Sequence, residues 1–164
     1  MFKTDFSKIK SVHFIGIGGI GISAIARLFV LDGKRVSGSD VAESEVTEEL
    51  RKLGVQVCIG QRAENIPPDC DLVIYTIAVP PDNPEFAEAK RRGVSLLSYP
   101  EVLGTISKER FTIAISGTHG KTTTTAMVAK ILMDAGLDPT AIIGSFLQGS
   151  TLDLKKGRTF NTNF

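Results

Sequence analysis

The sequence predicts an α/β protein built on a parallel sheet, and three observations carry that expectation. Short apolar, β-branched runs alternate with segments of helical periodicity along most of the chain, the pattern of βαβ units with right-handed crossovers. Two of the runs, residues 11–17 (SVHFIGI) and residues 111–115 (FTIAI), stop abruptly at glycine-containing loops that open helices. Asp40 ends the run that follows the first loop, about 20 residues on, where an acid is kept in dinucleotide-type folds.

The first run reads as a buried parallel strand. Gly16, Gly18 and Gly21 then spell G-x-G-x-x-G, and Ile22, Ile25, Leu28 and Phe29 recur at helical spacing before the stop at Asp32-Gly33. A strand over residues 35–39 leads to Asp40. A polar helix follows over 44–53, closed by Gly54 in the usual C-terminal position. Residues 56–59 read as a third strand, 65–69 (NIPPD) as a turn and 71–76 (DLVIYT) as a fourth strand. In the loop after it, Asn83 is placed to cap a helix that begins at Pro84, with Glu85 favourable to the helix dipole and Gly93 as the stop. A fifth strand over 94–97 and a short helix over 100–106 complete the unit, and the polar residues 107–110 mark a boundary. The expectation is a Rossmann-like domain over 1–107. Its loops at Gly16 to Gly21, Ser39-Asp40 and Thr76 to Asn83 converge at the carboxyl ends of the strands, where ligands of such sheets bind. A glycine-rich turn that only lets helix and strand pack closely also fits G-x-G-x-x-G.

Residues 108–164 read as an incomplete second α/β unit. After the run at 111–115 come Ser116, Gly117, Thr118, His119, Gly120, Lys121 and four threonines, a strand, a tight loop and a helix start in which backbone N–H groups wrap a phosphate. Lys121 is placed to reach the β and γ phosphates of a nucleotide, and the Thr122 hydroxyl to ligate Mg²⁺. Strict P-loop spacing wants a glycine where Ile115 stands, so this is a shorter form; an ordinary turn with a surface lysine is the bland alternative. Val128, Ile131, Leu132 and Ala135 form the following helical stripe, with Gly136 and Pro139 beyond it. Residues 141–143 read as a strand, and 145–164 show no periodicity. So narrow a sheet is not stable alone; the chain reads as cut off inside its second domain, with an exposed apolar edge.

Composition bounds the rest. The 164 residues are 42% hydrophobic with a net charge of +1, enough for a real core and no electrostatic case for nucleic acid or an anionic membrane. Cys58 and Cys70 are the only cysteines and read as small buried residues rather than as a disulfide or metal site. No run suits a signal peptide or a membrane span, so the expected location is the cytoplasm. His13, within a strand, reads as a packed core histidine.

Together the motifs HFIGIGGIGIS (13–23), GSD (38–40), NPE (83–85) and GTHGKTTT (117–124) resemble, in their order, the Mur ligase family of peptidoglycan synthesis. The resemblance covers nearly the whole chain. The histidine in the second loop is similar to the alanine-adding branch; a branch that recycles murein tripeptides shares the features. The resemblance implies that the first loop serves a uridine diphosphate group. Gly18, Gly19 and Gly21 would approach the diphosphate, Asp40 the uridine or its ribose, and Thr76, Ala78 and Asn83 would line the crevice. It implies ATP and Mg²⁺ as cofactors at Gly117, Thr118, His119, Gly120, Lys121, Thr122 and Thr123, with Lys121 and Thr122 serving catalysis and Thr122 the metal. The substrates it implies are UDP-N-acetylmuramate and L-alanine, joined through an acyl phosphate, with no protein partner evident. A truncated chain would lack the full activity. A non-catalytic sugar-nucleotide module and, outside the family, an NAD-dependent oxidoreductase remain the competing readings.

Overall fold

The computed structural model describes residues 5–143, which fall into two compact units, Met1–Arg110 and Phe111–Phe164. In the first, five parallel strands lie in the order β3-β2-β1-β4-β5. They are β1 (Ser11–Ile15), β2 (Arg35–Asp40), β3 (Gln56–Ile59), β4 (Leu72–Tyr75) and β5 (Ser95–Ser98), with α1 (Ile20–Leu31), α2 (Glu45–Lys52), α3 (Pro84–Arg92) and α4 (Tyr99–Glu109) between and after them. The order reverses at β1, which pairs with β2 on one side and β4 on the other: Phe14 opposes Gly38 and Ile74, Ile15 opposes Ser39 and Tyr75. This is the switch point where the crossovers change faces and leave a crevice at the strands' carboxyl ends.

Alternation along β1 divides the core. Val12 and Phe14 point to one face, where Phe14 meets Phe29 of α1 with ring centroids 6.1 Å apart and Phe29 meets Phe6 at 5.4 Å. Ile15 points to the other, joining Val73, Ile66, Cys70 and Ala89 of α3. Burying each large apolar side chain contributes roughly 1.5–3 kcal/mol. A 3-10 turn at Phe6–Lys8, not legible in the sequence, closes the α1 face. Its carbonyl of Phe6, with that of Ile9, accepts from Lys34 Nζ at 2.7 and 2.9 Å.

The element pattern matches the expectation within a residue or two, and three readings change. The fourth helix runs on through Ser107 to Glu109, where a polar boundary was expected. Residues 111–115 form no strand, and neither do 141–143. A strand exists only when a neighbour accepts its backbone hydrogen bonds, and among the described residues no segment pairs with either. Phe111 is 97% exposed. The second unit holds one helix in its described part, α5 (Lys121–Asp134), on which Ala129 packs with Ala141 and Ile143. The expected patternless stretch 145–164 lies outside the described residues. Cys70 is buried, Cys58 half-buried, and both are free thiols; burial pushes the Cys70 thiol up. Among the described residues, no helix is long and apolar enough to cross a membrane.

Candidate functional site

The first glycine loop is built by contacts that side chains would prevent. Gly16 leaves β1 at φ +81°, and a Cβ there would sit 2.5 Å from Thr76 Cγ2, so the end of β1 and the end of β4 touch directly. The N–H groups of Gly16 and Ile17 both donate to Ser39 O, at 2.8 and 2.9 Å, which ties the loop to β2. Gly18 N donates to Asp40 Oδ2 at 2.7 Å, and Val41 N to Oδ1 at 2.7 Å. Asp40 therefore lies against the glycine loop and fixes its course. Gly19 is the N-cap of α1 and brings no side-chain cap. The first-turn N–H groups and the positive end of the helix dipole are thus left to face the crevice, an arrangement that suits a phosphate.

The loop after β4 completes the rim. Ala78 is exposed, Thr76 half-buried, and Asn83 only 2% exposed. Asn83 Oδ1 accepts from Glu85 N and Phe86 N at 2.9 and 3.0 Å, and its Nδ2 donates to Gln61 Oε1 at 2.6 Å. It shapes the loop as a helix cap, with its side-chain groups already bonded. The expected convergence of the three loops is present in the first unit.

Two residues, one against the start of α1 and one buried beneath the loops, stand out only in three dimensions. Tyr99, directly after β5, sets its ring against Gly21, whose Cβ would lie 2.7 Å from the Tyr99 Oη; burial holds that phenol above its usual range. Glu85 is fully buried, not a surface acid at a helix start. Its Oε2 accepts from Ser39 Oγ at 2.6 Å and faces His13 Nε2 at 3.4 Å, while Oε1 accepts from Asn65 Nδ2 at 2.5 Å and Arg62 N at 3.2 Å. Burial raises its pKa, but the hydrogen bonds from His13, Ser39 and Asn65 outweigh it and hold the group below the usual carboxylate range. His13 is packed in the core as expected, yet bonded: the tautomer with its proton on Nε2 donates to Glu85 and accepts at Nδ1 from Ser37 Oγ, 2.9 Å away. The signal was present in the sequence. His13 puts a polar group in the apolar run of β1, Ser37 and Ser39 put theirs at alternate positions of the neighbouring strand, and such groups need a partner where they are buried.

The second loop stands in the other unit. Gly117, Thr118, His119, Gly120, Lys121 and Thr123 are exposed and Thr122 half-buried. Gly120, in the left-handed region at φ +77°, is the N-cap of α5 and gives no side-chain cap. Lys121 Nζ donates to Gly117 O and, at 3.4 Å, to Thr118 O, so the ammonium closes back over the loop. An uncapped helix start, a left-handed glycine and a lysine at the mouth fit a nucleotide phosphate. Thr122 follows Lys121 in the first turn of α5 and brings a hydroxyl oxygen to that helix start, a group of the kind that ligates Mg²⁺.

The family model for "Mur ligase family, catalytic domain" matches residues 11–111. The chain belongs to the Mur ligase family. Within that family, the UDP-N-acetylmuramate–L-alanine ligase of Aquifex aeolicus is 49% identical over 151 residues, covering 92% of this chain and 33% of the relative. That of Clostridium kluyveri is 51% identical over 144 residues, 87% of this chain and 32% of the relative. The crystal structure of UDP-N-acetylmuramate–alanine ligase from Thermotoga maritima superposes with a TM-score of 0.81 at 39% identity, covering 94% of this chain and 35% of that one. A murein peptide ligase from Psychrobacter arcticus gives 0.80 at 30% identity, over 94% and 33%. The chain thus spans about a third of the length of these relatives and corresponds to their N-terminal part.

Proposed function

We propose that this chain carries the sugar-nucleotide crevice and the Gly-Lys-Thr loop of an ATP-dependent ligase that joins L-alanine to the carboxylate of UDP-N-acetylmuramate. The observation that supports it most is the meeting of Gly16, Ser39-Asp40 and Thr76 at the switch point, in a chain 49% identical to such a ligase. In this reading the N–H groups at the start of α1 take the diphosphate, because the helix dipole and unpaired donors complement its charge. Asp40, held by Gly18, borders the ribose. Thr76 and Ala78 line the far wall, and Asn83 holds that wall in place.

Phosphoryl transfer needs charge neutralisation and alignment more than a protein nucleophile. Lys121 and the start of α5 supply the first, with Thr122 as a ligand to Mg²⁺ and Gly117 to Thr123 wrapping the phosphates. When bound, MgATP supplies the phosphoryl group that activates the sugar's carboxylate for attack by the amine. His119 shapes this loop. The recycling of murein peptides is the neighbouring reading; the higher identity to the alanine ligases, 39% against 30% among the solved structures, favours alanine addition. The expected compartment is the cytoplasm.

Titration calorimetry of the chain with UDP-N-acetylmuramate tests the crevice. Binding that UDP competes away and NADH does not is the expected result; a folded sample that gives no heat overturns the reading. Lys121→Ala should abolish binding of ATP and leave the sugar nucleotide's affinity unchanged. Unaltered ATP binding would instead favour a module that holds only the sugar nucleotide.

A further inference from the structure

A charge fully removed from solvent costs several kcal/mol even after relaxation, and Glu85 bears that cost on a helix whose next turn is core: Ala89 packs in the apolar cluster with Ile15 and Val73. Direct ligand contact does not explain it, because the side chain has no exposed surface. Its partners do. Ser39, which donates to Oε2, is the residue whose carbonyl receives Gly16 N and Ile17 N, so the end of β2 that grips Glu85 also anchors the start of the glycine loop. Asn65 uses the same Nδ2 to reach Oε1 and Gly60 O, the latter at 2.8 Å, and Arg62 N joins them. These bonds close the segment after β3. Asn83, two positions before Glu85, caps α3 and bonds Gln61 of that segment.

We propose that Glu85, backed by His13, is a positioning residue for the sugar nucleotide: one buried carboxylate holds the glycine loop, the 60–65 segment and the 76–83 loop in their receiving arrangement before the ligand arrives. The inference rests on the reading of the crevice as a sugar-nucleotide site. Its physical basis is that an ionised carboxylate only accepts hydrogen bonds. The hydroxyl of Ser39, the amide of Asn65, the N–H of Arg62 and the imidazole of His13 can all satisfy it only by donating, and that selects one arrangement of the segments bearing them. A glutamine of nearly the same volume brings an NH₂ group against those donors. Fixing a site in its bound form raises affinity by removing the ordering cost from the binding step.

Glu85→Gln and Asn65→Ala in the 164-residue chain test this by calorimetry with UDP-N-acetylmuramate, alongside thermal melting and amide hydrogen exchange of the ligand-free protein. Residues that hold metal ligands from behind cost roughly 10- to 100-fold when replaced; on the lower end of that scale Glu85→Gln should weaken binding by about tenfold, and Asn65→Ala by less, with cooperative melting kept. Exchange should quicken in residues 16–19, 60–65 and 76–83 and stay unchanged in α1 and β4. Unchanged affinity in both variants overturns the proposal, as does exchange that quickens equally throughout, the mark of general destabilisation. Should Glu85→Gln fail to fold, Asn65→Ala decides, since it removes only the two bonds of one half-buried amide, to Glu85 Oε1 and Gly60 O, and leaves the carboxylate in place. Should the parent chain itself not bind the sugar nucleotide, the functional reading falls, while the exchange pattern still decides whether Glu85 holds the loops.

Discussion

Gly16 and Thr76 show how a single atom can set the geometry of a crevice. An alanine at Gly16 would meet Thr76 Cγ2 at 2.5 Å and hold an unfavourable φ of +81°, and overpacking of this kind costs about 1–3 kcal/mol. Gly16→Ala should therefore lower the midpoint of urea unfolding. Adding Thr76→Ser, which removes the clashing methyl but not the backbone strain, should recover only part of the loss, so the double-mutant cycle separates the two causes. Full recovery would mean that the positive φ costs nothing.

Glu85 sets a pH dependence at the same scale. Its folded pKa is depressed, so the unfolded state binds its proton first as pH falls. The stability it contributes is present above the unfolded value, about 4.3, and is lost as pH drops through the lower folded value. His13 is the titratable group facing it; its other partners are Ser39, Asn65 and the Arg62 backbone. The melting temperature of the parent should fall more steeply below about pH 4.3 than that of Glu85→Gln, as linkage requires. Parallel melting curves across that range would show that folding does not lower the Glu85 pKa.

Among the elements, α3 was the most legible from sequence, because its signals are local. Asn83, Pro84 and Gly93 mark its ends by backbone chemistry alone, and the structure puts the cap, the first turn and the left-handed stop (φ +67°) at those residues. Replacing Asn83 by alanine removes both capping bonds and the link to Gln61; the expected cost is about 1–2 kcal/mol, read from chemical denaturation. Asn83→Asp keeps the cap and should lose less. The runs 111–115 and 141–143 had equally good β composition and failed as strands, since composition says what suits a ladder and not whether a partner is there to form one.

For the whole molecule, the division at Arg110 and the lack of regular structure over residues 111–117 predict where a protease enters. Limited trypsin digestion should cut first near Arg110 or Lys121, both exposed, and leave an N-terminal fragment that keeps its circular dichroism and its affinity for UDP-N-acetylmuramate. Mass spectrometry of the earliest fragment checks it. A first cut within β1–β4 would contradict the division into units.

The amino-acid sequence alone determined the βαβ alternation, the two glycine loops, the helix caps and, through their motifs, the family. All of these are written in short spans, by periodicity and by residues with special backbone angles. Strand order, the seating of Tyr99 on Gly21 and the burial of Glu85 beneath the crevice were decided only by tertiary structure. Glu85 shows why: its partners Ser39, Arg62, Asn65 and His13 come from segments far apart in the chain, and a carboxylate is buried or exposed according to which donors the fold brings to it, not according to its neighbours in sequence.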